Sequence, residues 1–188
     1  MPASVATGAQ GPPKMDEAWL VRLAQRGDLD AFETLVRRHR QQVYRVALRV
    51  LGDPIEAEDA AQDAFVQAWR ALPRFRGDAA FGTWMYRVVT NGCLNRLRDR
   101  RRTDPLPAVL QAAGTDTAES AVARVQIAAV KRVVANLTPE QRAAWVLREL
   151  EGLTYEQIAD ALDLSLSAVK ARIHRARQEI LHELRGWT

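Results

Sequence analysis

The sequence predicts an all-α chain of two small helical domains, and three observations carry that expectation. Apolar residues recur at helical spacing in several segments, while strand-like alternation is nearly absent. The same segments open on recognisable helix caps. Between them lies 103–117, with two prolines, a glycine, no Lys or Arg and no periodicity, which reads as a flexible linker. A chain of 188 residues has room for two domains of roughly 80 and 70 residues, each near the lower end of what a hydrophobic core stabilises alone. Partners should therefore matter to it.

Residues 1–15 are rich in small residues, Gly and Pro, with neither a basic start nor an apolar centre, and read as a disordered tail rather than a signal peptide. Phe32, Leu35, Val36, Val43, Val46, Ala47 and Val50 mark one long amphipathic helix, stopped by Gly52. Asp53-Pro54-Ile55-Glu56 offers an N-cap, a proline suited to the first helical position and an acid behind it, so a second helix should run over 54–71. Its core face is small and aromatic: Ala57, Ala61, Ala64, Phe65, Ala68, then Leu72. Leu72-Pro73 ends it. Residues 74–80 form a basic surface loop, and another helix covers 81–102, closing on Arg98-Asp99-Arg100-Arg101-Arg102.

Beyond the linker, Val122, Val125, Ala129 and Val133 indicate a helix. Thr138-Pro139-Glu140-Gln141 combines a capping box with proline and opens a second helix, ending near Gly152. Thr154-Tyr155-Glu156-Gln157 repeats the box for a short third helix to about Leu162, and Ser165 or Ser167 can cap a last helix to about Leu184. The boundaries expected are therefore tail 1–15, first domain 16–102, linker 103–117 and second domain 118–188.

Composition narrows the function classes. Lys occurs only at 14, 131 and 170 while Arg is abundant, giving a formal net charge of +4. That balance fits a nucleic-acid partner, and equally an Arg-favouring, GC-rich genome. The single cysteine, Cys93, excludes an internal disulfide framework and a Cys-rich metal site, and it fits a reducing cytoplasm. It lies on an inward stripe, as a core residue rather than a redox sensor would. No apolar run approaches the ~18 residues of a membrane span. With no Walker A sequence, metal-ligand cluster or catalytic triad, no cofactor, metal or enzymatic activity is expected.

A short capped helix, a three-residue connection (Asp163-Leu164-Ser165) and a longer basic helix make a helix-turn-helix pattern, pinned by Ile158, Leu162, Leu164 and Val169, with Ala159 where space is tight. On the last helix, Val169, Ile173, Ala176 and Ile180 form the buried stripe. Ser167, Lys170, Ala171, His174, Arg175 and Gln178 fall opposite, where a recognition helix reads major-groove edges. Arg172 and Arg177 flank that face, better placed for phosphates. The alternative is an ordinary solvated basic face.

In the first domain, Asp59, Gln62 and Asp63 share one exposed ridge at i, i+3 and i+4. The helix dipole accounts for acid near the helix start but not for Asp63 two turns in, so a protein-binding ridge seeking a basic partner is the sharper reading. The helix over 81–102 turns Met85, Val89, Cys93 and Leu97 inward and shows Trp84, Arg87, Val88, Asn91, Asn95 and Arg98 on the other side. An aromatic, two amides and several arginines on one stripe suit a single-stranded nucleic acid. A core tryptophan with a solvated basic end is the competing account.

Across nearly all of 16–185 these segments together resemble the extracytoplasmic-function (ECF) sigma factors of bacterial RNA polymerase. Asp53 through Phe65, followed by Ala68-Trp69-Arg70, is similar to the family's region 2.2, which docks on the clamp coiled coil of the β′ subunit. The resemblance thus implies that Asp59, Gln62 and Asp63 contact core polymerase. Phe81 through Asn91 resembles the segment that opens the −10 element, with Asn91 at a base-contacting position and 74–80, carrying Arg74 and Arg76, as the loop that captures a flipped base. Gly152 through Ala159 with Ala168 through Arg177 resembles region 4.2, reader of the −35 element, to which Ser165, Ser167 and Ala171 would also belong.

The implied function is promoter recognition, help in melting and initiation by core polymerase, held through the β′ clamp and β flap, with an anti-sigma protein as controlling partner. Three departures bear on promoter sequence rather than class. Asp163 stands in the turn where many helix-turn-helix proteins use Gly, Ala171 where many relatives carry Ser, and Gly82 and Gly92 loosen the −10 helix by ~0.8–1 kcal/mol each. Two other classes stay open on sequence: a stand-alone helix-turn-helix repressor or activator, and an RNA-binding module.

Overall fold

The structure, a computed structural model, describes residues 16–103 and 133–185. The described residues are helical and contain no strand. The expected tail, the linker over 103–117 and the helix built on Val122, Val125 and Ala129 lie essentially outside them.

Four helices form the first unit: α1 (Glu17–Gln25), α2 (Leu29–Leu51), α3 (Pro54–Ala71) and α4 (Phe81–Thr103). The caps follow the sequence closely. Asp28 accepts the Ala31 N–H at the start of α2, Asp53 accepts the Glu56 N–H at the start of α3, and Gly52 ends α2 in the left-handed region at φ 78°. Helix α1 was not expected. Its signals, Asp16 as cap and Leu20, Val21 and Ala24 as a buried face, sit in a stretch too short to stand out. Alanines at 57, 60, 61, 64 and 68 let α3 lie close against α2 and α4 around Leu35, Val43, Val46, Val50, Met85, Val89 and Cys93. Phe65, assigned to that face, is only half-buried.

In the second unit, α5 (Pro139–Trp145) runs into a wide π-turn (Val146–Leu150), then come α6 (Tyr155–Leu162) and α7 (Leu166–Arg185). The helix foreseen as continuous to Gly152 thus loosens at Val146, where the Glu151 N–H reaches back to the Val146 carbonyl. Leu137, Ala176 and Ile180 form a small core with Val133. The larger core is continuous across both units, taking in Leu147, Leu153, Ile158, Ala161, Leu162, Val169 and Ile173. Helix α4 packs on α6, and α2 on the π-turn. Two helical regions were expected; their direct packing was not.

Candidate nucleic-acid interface

The helix-turn-helix is built as its sequence dictates. Thr154 Oγ1 accepts the Gln157 N–H at 3.2 Å while Gln157 Oε1 accepts the Thr154 N–H at 2.8 Å, so both orphan donors are met. Asp163 sits at φ 54°, ψ 54°, the one described non-glycine residue at positive φ, in the turn where many helix-turn-helix proteins use Gly; Asp tolerates this region better than most residues. Ser165 is the cap of α7, its Oγ accepting the Ala168 N–H at 3.3 Å; Ser167 lies inside the first turn, with its Oγ 3.0 Å from that of Ser165.

Val169, Ile173, Ala176 and Ile180 are buried. Ser167, Lys170, Ala171, His174, Arg175 and Gln178 are exposed, and Arg172 is half-buried. Arg177, expected on phosphates, donates to Glu149 at 2.6 and 3.0 Å, and that bond raises its pKa further. Arg148 and Lys170 stand over the Tyr155 ring at 4.7 and 5.9 Å.

In the first unit, Gln25 Nε2 donates to the Leu72 and Phe75 carbonyls at 3.2 and 2.7 Å and so fixes the root of the loop that follows α3. Phe75 then lies against Trp84, ring centroids 4.8 Å apart, and both adjoin Phe81. Trp84 is therefore half-buried in an aromatic cluster instead of standing free as an exposed stacking platform. Asn91 is half-buried as well, while Arg74, Arg76, Arg87, Asn95 and Arg98 are exposed. Gly82 has a reason beyond flexibility: a Cβ there would stand 3.2 Å from the buried His39 ring. Cys93 is fully buried, and burial pushes its thiol up to about 12, which leaves it unreactive.

The ridge on α3 has Glu58, Asp59, Gln62 and Asp63 exposed, with Val66 beside them. Asp63 is held by an ion pair to Arg96 of α4, which leaves Asp59 and Gln62 as its more available positions.

Sequence reasoning missed the contact between the units. Tyr86, Thr90 and Leu94 of α4 form a second buried line besides Met85, Val89 and Cys93. At its end the Glu151 carboxylate accepts from Arg45 Nε and Nη2 (3.2 and 3.1 Å), Arg49 Nη1 (2.6 Å) and the Tyr86 hydroxyl (2.8 Å). Burial, then the bond to Glu151, push the Tyr86 phenol up to about 12, and the same carboxylate raises Arg45. Nearby, the buried Arg142 donates to the Val50, Ala135 and Leu137 carbonyls at 2.8, 2.6 and 3.2 Å; burial lowers its pKa to about 10, still cationic at neutral pH. Arg45 and Arg49, four apart on α2, were the available signal, but their partner lies about a hundred residues away.

Comparison with known proteins agrees with this arrangement. Residues 35–103 match the family model of sigma-70 region 2, and residues 127–180 that of sigma-70 region 4. The chain is 38% identical to the RNA polymerase sigma-H factor of Pseudomonas aeruginosa, over 86% of this chain and 90% of that one. It is 37% identical to the ECF RNA polymerase sigma-E factor of Escherichia coli K12 over the same shares. Among solved structures, CnrH in complex with the cytosolic domain of CnrY superimposes with a TM-score of 0.69 at 28% identity, covering 92% of this chain and 99% of that one. The sigma factor RpoE of Bartonella quintana, solved with the anti-sigma factor NepR, shares the fold at a TM-score of 0.70 and 21% identity, over 82% of this chain and 96% of its own. Region 2 and region 4 in order, with relatives this similar along most of their length, show that this chain belongs to the ECF sigma factors.

Proposed function

We propose that this sigma factor, which binds core RNA polymerase and directs initiation at promoters, divides its work among three surfaces. The α3 ridge of Asp59, Gln62 and Asp63 docks on the β′ clamp, and the second unit engages the β flap. The loop over 74–80 and α4, through Arg74, Arg76, Trp84, Arg87, Asn91, Asn95 and Arg98, hold the opened −10 strand. Helix α7 reads the −35 duplex with Lys170, Ala171, His174 and Arg175, while Ser165, Ser167, Arg172 and Arg177 serve its backbone. The domains run over 16–102 and 118–188 with a linker at 103–117. Melting is driven by tighter binding of the opened strand, with no catalysed reaction, and the protein acts in the cytoplasm. An anti-sigma protein controls it, a reading supported by the relative solved with the anti-sigma factor NepR.

The observation that carries the reading is α7 itself: a continuous apolar stripe fixes one side, and the exposed row on the other is basic and hydrogen-bonding. Fluorescence titrations with core polymerase and with promoter duplex test the division. Asp59→Arg should weaken core binding at least ~10-fold and leave duplex contacts of α7 intact. Arg175→Ala should do the reverse, weakening −35 duplex binding by ~1–3 kcal/mol and lowering the salt slope by about 1. Equal losses in both assays for either variant would contradict it.

A further inference from the structure

We propose that Gln25 of α1 is a positioning residue for −10 recognition: its side-chain amide holds the entrance of the 74–80 loop in the place from which that loop captures a flipped base. The inference deepens the proposed function and rests on its assignment of the loop.

A side-chain amide nitrogen carries two N–H donors, and at Gln25 both go to one short stretch of chain, to the Leu72 carbonyl at 3.2 Å and the Phe75 carbonyl at 2.7 Å. Both partners are pure acceptors, so the nitrogen and not the oxygen of the amide must face them. The two carbonyls bracket the 3₁₀ turn Leu72–Arg74, with which α3 ends. That turn closes on the Phe75 N–H, which donates to the Leu72 carbonyl at 3.0 Å, and 3₁₀ bonds have poorer geometry than those of an α-helix. Gln25 spans the same two ends from outside. It thereby fixes the direction in which the chain leaves at Phe75, whose backbone is extended at φ −70°, ψ 117°.

Residues 76–80, which follow, are all exposed, so the loop takes its placement from its two ends. Phe75 joins those ends: its ring centroid lies 4.8 Å from that of Trp84 and 6.3 Å from that of Phe81, where α4 begins. A Phe75 released by the loss of Gln25 would carry Arg74 and Arg76, its neighbours on either side, away from α4. Helix α1 supports the same cluster a second time. The Glu17 carboxylate accepts from His39 Nε2 at 2.9 Å, and the His39 ring lies against Phe81, centroids 5.3 Å apart. The first and last residues of α1 thus brace the two ends of the loop, although α1 carries none of the residues assigned to DNA.

Holoenzyme reconstituted from core polymerase and the full chain tests this on Gln25→Met, which keeps the length of the side chain without its donors, and on Gln25→Glu, which keeps its shape and turns acceptors toward the two carbonyls. The probe is the −10 strand of a promoter whose start site run-off transcription has mapped, used as an intact single strand and as a series with one nucleotide at a time made abasic. Urea melts show whether each variant is folded; where the charge of Gln25→Glu unfolds the chain, Gln25→Met decides. In wild type one abasic position should weaken binding by at least ~10-fold, the loss of one captured base. In both variants the intact strand should bind ~5–10-fold more weakly and that one penalty should shrink below ~3-fold, while the penalties at other positions, core binding and −35 duplex binding stay as in wild type. A penalty as large in the variants as in wild type would overturn the proposal and leave the loop its base. Weaker binding spread evenly over every position, or shared by the −35 duplex, would make Gln25 a merely structural residue and overturn it as well. A wild type in which no abasic position costs more than ~3-fold would overturn the assignment of the loop, and the proposal with it.

Discussion

The two DNA-reading helices are buried differently, and the difference separates what one sequence reveals from what it hides. Helix α7 buries a single line, Val169, Ile173, Ala176 and Ile180, and leaves the rest to solvent. Helix α4 buries two, Met85, Val89 and Cys93 within its own unit and Tyr86, Thr90 and Leu94 on a second line. One apolar stripe against a polar face produces a clear helical period. A second covered face that contains a phenol, a hydroxyl and one leucine does not, because its partners come from distant sequence and are partly polar.

That contrast can be broken by mutation. The largest effects should fall on the inward lines of both helices: Met85→Ala and Ile173→Ala should each lower stability by ~2–5 kcal/mol in urea unfolding, while Gln178→Ala on the exposed face of α7 changes it by less than ~0.5 kcal/mol. If Ile173→Ala cost as little as Gln178→Ala, the single-stripe account of α7 would be wrong.

The second line of α4 predicts a pH dependence. The Tyr86 phenol is raised from its ordinary value of 10 to about 12 in the folded chain, so folding favours its neutral form. That stabilisation is complete below pH 10 and is lost as pH rises towards 12. Cys93, raised from 9 to about 12, acts in the same direction over a slightly wider window. Denaturant melts between pH 9 and 12 should therefore fall steeply in wild type and less steeply in Tyr86→Phe. Equal slopes would place Tyr86 in solvent.

A smaller effect belongs to the cap of α6. Thr154→Ala removes the hydroxyl that accepts the Gln157 N–H and should reduce stability by ~1 kcal/mol, seen as an earlier urea midpoint. The smallest change sharpens the comparison from the other side. Thr90 is fully buried and its hydroxyl finds no hydrogen-bond partner, so Thr90→Val should be neutral or stabilising by up to ~1 kcal/mol. Destabilisation in the same urea melts would mean that the hydroxyl is satisfied.

Most of the fold was legible for local reasons. Caps at Asp53, Thr138 and Thr154, the stop at Gly52 and the left-handed turn at Asp163 are written in residue types whose backbone preferences act within a few positions. The face of α7 followed from the same periodicity. Helix α1 escaped notice because it is only nine residues long, and the π-turn because apolar periodicity does not distinguish a five-residue widening from a continuing helix. At Trp84 two readings stood open, and Phe75, from outside the helical wheel, decides its burial together with Phe81 one turn earlier on α4. Arg142 carried no signal in the sequence; the end of α2 and the residues just before α5 make it a buried donor to three carbonyls.

Run-off transcription with bacterial core polymerase and a pool of upstream fragments from the source genome tests the central claim most directly. The account predicts discrete start sites that depend on the wild-type protein and disappear with Asp59→Arg or with Lys170→Glu/Arg175→Glu. Specific binding to those fragments without initiation from any of them would contradict it and point to a stand-alone helix-turn-helix regulator.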